Sequence, residues 1–179
     1  MTHTSDPYEK VFAPLRTAGI WDVQVPGYID RDHAPAPRFA PLSSSVYLAV
    51  QDGGLLRLQS LGNHGQLSLH MVAEPALPPE LDGTDEEFAL GAWGDHYLGD
   101  SHEQSVSAAR YALNAESDPT AGTVRCIEFQ FEYGQRLFVD PGYHWGIRLQ
   151  GAGAYEHWLV EQEQQAGPLG PVSTFLWTP

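Results

Sequence analysis

The chain has 179 residues, 42% of them hydrophobic, a length that suits one domain with a sizeable core. Nine basic residues against 23 acidic ones leave a net charge of −14, which argues against a nucleic-acid backbone or an anionic membrane as partner, since both reward Lys and Arg. The lone Cys126 rules out an internal disulfide framework, and the absence of a leader-like or 18-residue apolar run predicts a cytoplasmic protein of a reducing compartment.

In chain order, Asp6, Pro7 and Glu9 have capping-box spacing with proline at the first helical position, so a short helix is expected that Pro14 stops within two turns. Trp21, Val23 and Val25 alternate with polar neighbours, as in a half-buried strand. Residues 31–41, with four alternating Ala and Pro positions from Ala34 to Pro37, read as an extended loop. Over residues 43–72 the set Val46, Leu48, Val50, then Leu56, Leu58, then Leu67, Leu69, Met71 keeps period two. The stretches Asp52-Gly53-Gly54 and Gly62-Asn63-His64-Gly65 tolerate the positive φ of tight turns, which makes this a three-stranded meander. Residues 73–103 are a Pro-interrupted excursion, in which Thr84-Asp85-Glu86-Glu87 has the spacing of a second capping box before one or two helical turns.

The alanines of residues 105–114 suit a helix, while their alternating Ser, Val and Tyr suit a strand; the segment that follows favours strand. There, Ile127, Phe129, Phe131 and Tyr133 share one face and Glu128, Gln130 and Glu132 the other, which predicts a core face and a glutamate face toward solvent or a partner. Asp140-Pro141-Gly142 suits a type II turn, and residues 143–149, 155–162 and 173–177 are further strand candidates. About nine short strands with one or two short helices predict an all-β, mainly antiparallel domain over residues 1–179, either a sandwich or a partly open barrel.

Traces of chemistry are sparse. There is no G-x-S-x-G elbow, the Gly-rich pieces lack a lysine, and Cys126 inside a strand reads as an inert small hydrophobe. Asp95, His96, Asp100, His102 and Glu103 gather imidazoles and carboxylates suited to zinc or iron(II), yet their spacing follows no ligand motif and an exposed acidic loop yields the same residues. No cofactor is therefore expected, and a metal-assisted hydrolase centred on His96 and His102 stays as an alternative. Glu128 and Glu132 stand roughly 13 Å apart along one strand, too far for the paired carboxylates of glycoside hydrolysis at about 5–10 Å; Asp140 and Glu156 are the other acids on or beside strands. Tyr143-His144-Trp145 and Tyr155-Glu156-His157-Trp158 read as core aromatics, with a carbohydrate-binding face of Trp145 and Trp158 as the competing reading.

One feature stands out. Residues 58–109 contain no Lys or Arg, yet hold Glu74, Glu80, Asp82, Asp85, Glu86, Glu87, Asp95, Asp100 and Glu103. Phe88, Leu90, Trp93, Tyr97 and Leu98 are interleaved with them, so apolar anchors lie within a negative field. This pattern predicts a binding protein rather than an enzyme: an acidic domain resembling, in its charge logic, the immunity proteins and antitoxins that mask a basic toxin. Its contact residues would be Glu80, Asp82, Asp85, Glu86, Glu87, Phe88, Trp93, Asp95, Tyr97, Asp100 and Glu103.

Overall fold

The structure, a computed structural model, describes residues 7–33, 35–100, 103–142, 146–165 and 170–179. Its elements run α1 (Glu9–Phe12), β1 (Ile20–Asp30), β2 (Arg38–Pro41), β3 (Ser45–Val50), β4 (Leu55–Ser60), β5 (Leu67–Val72), β6 (Glu87–Ala92) and α2 (Gly94–Leu98). They continue with β7 (Val106–Leu113), β8 (Thr123–Val124), β9 (Cys126–Phe131), β10 (Arg136–Asp140), β11 (Arg148–Gln150), α3 (Ala154–Gln164) and β12 (Ser173–Trp177). The strands form two open antiparallel sheets, one of seven strands and one of five in the order β11-β10-β9-β7-β12, so the domain is mainly β, consistent with a sandwich. No helix among the described residues is long and apolar enough to cross a membrane.

The period-2 residues supply the core. Val23, Val46, Leu48, Leu56, Leu58, Leu67 and Leu69 from the first sheet meet Tyr111, Ile127, Phe129, Phe131, Leu137 and Val139 from the second in one buried cluster. The predicted meander is present as β3-β4-β5, paired without a break in register. Its first turn carries positive φ at Asp52, Gly53 and Gly54. The expected short helix is α1, although Pro14 lets a 3-10 turn continue to Arg16; Asp6 lies outside the described residues. Tyr8 and Phe12 pack on Tyr111, and the Tyr8 hydroxyl donates to the Thr123 carbonyl at 2.6 Å.

β1 organises the first sheet. Its first half pairs with β3, its second half with β2 on the same edge, and β6 lies along the other edge. Pro26 cannot donate to a ladder, and it sits opposite the break between β2 and β3, where its carbonyl accepts from Leu42 N at 2.8 Å. A register shift between Ile20 and Asp22 turns Trp21 out to solvent, against its expected place beside Val23 and Val25.

Several expectations are corrected. Tyr133 is 69% exposed rather than in the core, because β9 ends at Phe131 and Tyr133 belongs to the turn closed by Gly134 at φ 87°. Glu128, expected on a face toward solvent or a partner, has no exposure at all, because a helix covers that face of the second sheet. This helix is α3, which replaces the strand expected over residues 155–162: Gly153 starts it in the left-handed region, and Tyr155 and Trp158, three apart, face Cys126 and Phe138. Of the strand expected over residues 143–149, Arg148 and Leu149 lie in β11, which runs on to Gln150, and 143–145 lie outside the described residues. Residues 105–114 do adopt the favoured strand, as β7.

Candidate functional site

The acidic excursion has a topological cause. β5 lies on one side of the first sheet and β6 on the other, beyond β1, so the chain between them must cross the sheet. It does so over the outer face, where the Tyr47 hydroxyl accepts from Ala76 N at 3.1 Å and Tyr47 and Ala49 are buried. Thr84 does not cap a helix. Its hydroxyl donates to the Leu81 carbonyl at 2.9 Å and accepts from Glu86 N, a local turn that leads straight into β6. Glycine at 91 disfavours helix there and serves packing: a Cβ at Gly91 would stand 2.7 Å from the Phe39 ring, and one at Gly27 2.6 Å, so the two glycines let that ring lie across β1 and β6.

After β6 the chain passes Trp93 into α2. The buried Asp22 on β1 accepts from Gly94 N at 2.9 Å and from Val23 N at 2.8 Å, tying the start of α2 to the sheet. Tyr97, expected as a contact anchor, is only 8% exposed and its hydroxyl donates to the Leu149 carbonyl, so it belongs to the core with Leu98. Burial also raises the Tyr97 pKa, which keeps the phenol neutral. Trp93 remains 37% exposed, Leu90 is exposed and Phe88 half-buried. Trp93 and Tyr97 border an apolar cleft of about 210 Å³ that Val25, Val46, Ile147 and Leu149 also line, where the inner faces of the two sheets part.

All nine carboxylates of the window are exposed, but they do not form one cluster. Asp85, Glu86 and Glu87 lie at the Ile29 end of β1, around a depression of about 290 Å³ shared with Arg31 and Asp32. Glu80 and Asp82 precede them in and after a single 3-10 turn. Asp95 and Asp100 lie in and after α2, toward the start of β1, and Glu103 packs against Gly19 there. Glu74 lies two residues after β5, on the far side of the sheet.

Ion pairing separates this acidic set from the rest of the molecule. Among the described residues, seven of the nine Lys and Arg side chains are held by Glu9, Asp30, Glu87, Glu128, Asp140 and Glu156. Arg110 and Arg136 bridge Glu128 to Glu156 of α3, while Arg125 and Arg148 enclose Asp140. Burial pushes the Asp140 carboxyl up, but the charge and hydrogen bonds of Arg125, with those of Arg148 and Gly142 N, outweigh it and hold the pKa below the usual carboxylate value. Of the nine carboxylates only Glu87 has an ion-pair partner among the described residues, Arg31 at 2.6 Å.

Part of the metal alternative lies within the described residues. Among the described residues no three His, Cys, Asp or Glu side chains come together as a ligand group. Asp95 and His96 point to solvent from α2, Glu103 lies against Gly19, and His102 lies outside the described residues. Of the aromatic runs, Trp158 of α3 is buried against Phe138, as the core reading has it, and Trp145 lies outside the described residues. Comparison with protein-family models, curated proteins and solved structures finds no match to this chain.

Proposed function

We propose that this chain binds a basic protein, in the manner of an immunity protein or antitoxin that masks the cationic active site of a toxin such as a nuclease. The surface in question is the edge of the first sheet that carries β6. One observation carries the reading. The chain's arginines, Arg57 apart, are committed to carboxylates, all but Arg31 to ones outside residues 74–103, while the exposed carboxylates of that window, Glu87 excepted, have no ion pair among the described residues. Asp85 and Glu86, adjacent at one end of β6, repel each other, and a cationic partner relieves that repulsion while being steered toward them. Leu90 and Trp93, exposed beside the charges, supply the apolar contact that slows dissociation.

The test begins with affinity capture from the source cell, comparing the wild type with Asp85→Asn/Glu86→Gln/Glu87→Gln. Binding kinetics of the captured partner are then followed at rising salt. Because screening acts over about 8 Å at physiological ionic strength, the neutralised variant is expected to associate more slowly and with a flatter salt dependence. Trp93→Ala is expected to speed dissociation. Unchanged association of the neutralised variant at low salt would show the acids to be only a solvated face, and a captured partner whose activity is not inhibited would remove the toxin-masking role.

A further inference from the structure

β6 is an open edge. It pairs with β1 from Glu87 to Ala92, and no other strand joins it among the described residues. The bond from Trp93 N to the Val23 carbonyl at 2.8 Å sets the phase of this ladder. In an antiparallel pair, alternate residues face the partner strand, so the backbone groups of Glu87, Ala89 and Gly91 point to β1 and those of Phe88, Leu90 and Ala92 point outward. Natural sheets blunt such edges with lysine, proline, a bulge or a covering segment. β6 has six residues in unbroken register, no Lys, no Pro and no bulge, and Leu90 and Ala92 are exposed along it.

We propose that β6 is a docking edge at which an extended segment of the basic partner adds to the seven-stranded sheet as a further strand. This rests on the proposed binding of a basic protein and specifies how it is held. Charge complementarity identifies the occupant. From Glu87 to Ala92 the strand spans about 17 Å, with Asp85 and Glu86 at one end, where Glu87 is already paired with Arg31, and Asp95 just beyond the other. A segment that fits carries Lys or Arg toward both of its ends and β-branched residues between them, its main chain bonding to Phe88, Leu90 and Ala92. A second copy of this chain is a poor occupant, because each copy carries −14. The β12 edge also exposes Phe175 and Leu176, but nothing beside it states what would cover them.

The experiment uses the full chain and a capped peptide of about eight residues, with lysines at both ends and alternating valine and threonine between. An all-lysine peptide and a glutamate-ended peptide of equal length are the comparisons. Binding is read by fluorescence anisotropy, and amide hydrogen exchange reports the site. The lysine-ended peptide is expected to bind and to slow exchange at Phe88, Leu90 and Ala92 by about tenfold or more. Leu90→Pro, which removes an outward N–H that β1 does not use, is expected to weaken that peptide by about tenfold. Ala92→Pro does the same at the next outward position, should the first variant fail to fold. If the all-lysine peptide binds as well and leaves these amides unprotected, strand addition is overturned while the acidic surface stands. Strand addition is likewise overturned if the captured basic partner loses affinity for the charge-neutralised variant but not for Leu90→Pro. If neither variant alters binding of the captured partner, both readings fall, and a dimer that protects β6 in the free chain overturns the choice of occupant.

Discussion

Glu128→Gln removes a charge from a fully buried side chain while nearly preserving its shape. In the native protein Oε1 of Glu128 accepts from Arg110 Nη2 at 2.6 Å, from Arg110 Nε at 3.0 Å and from Gln130 Nε2 at 3.1 Å, with Arg136 at 3.5 Å. Breaking a wholly buried ion pair costs about 3–5 kcal/mol, because the surviving charge has no compensation. Here that figure is an upper bound, since Arg110 and Arg136 keep Glu156 at 2.6 and 3.1 Å and retain some solvent contact. What remains is the loss of hydrogen bonds to a charged group, about 1.5–3 kcal/mol. We expect a loss near 2 kcal/mol, that is roughly 1 M in the urea midpoint at an m-value of about 2 kcal/mol/M. Equilibrium urea unfolding followed by tryptophan fluorescence measures it. Glu132→Gln, on an exposed residue of the turn that follows β9, is the comparison and is expected to stay within about 0.5 kcal/mol. Equal costs for the two variants would refute the buried-network argument. An equal cost for Glu128→Gln in an Arg110→Met background would show that the pair is not coupled.

Three further outcomes follow from the packing. Asp140→Asn removes the carboxylate that Arg125 and Arg148 enclose and is expected to cost up to about 3–5 kcal/mol at neutral pH; because the folded pKa is lowered, that advantage of the wild type is complete above the unfolded value of about 3.9 and fades as pH falls through the folded one, so denaturation curves at successive pH values should converge only in acid. Cys126 is wholly buried and burial pushes its thiol pKa well up, so a thiol reagent should label it only at the rate of global unfolding; fast labelling of the native protein would contradict its place under α3. Phe129→Ala is expected to cost about 3–5 kcal/mol through its cavity, whereas Tyr133→Ala, on an exposed turn, should stay within about 0.5 kcal/mol in the same thermal or urea assay.

The local patterns of this chain determined its class. Period-2 runs such as Ile127-Phe129-Phe131 and the meander of residues 43–72 need only neighbouring residues to state a strand and its apolar face, and both are present as read. The lack of cations over residues 58–109 was legible in the same way, since it is a property of composition. Which charges are compensated was not. Arg110 meets Glu128 only because β7 and β9 pair in that register, and Glu156 reaches both arginines only because α3 lies across the sheet. Alternation tells which face of a strand is apolar, but a polar face buried under a helix looks the same in sequence as one in water. For the same reason Tyr97 passed for an exposed anchor, the residues after Thr84 passed for a helix, and the open edge of β6 had no sequence signal. Pairing with β1 decided the strand, packing against Leu149 decided the tyrosine, and both are contacts between segments far apart in the chain.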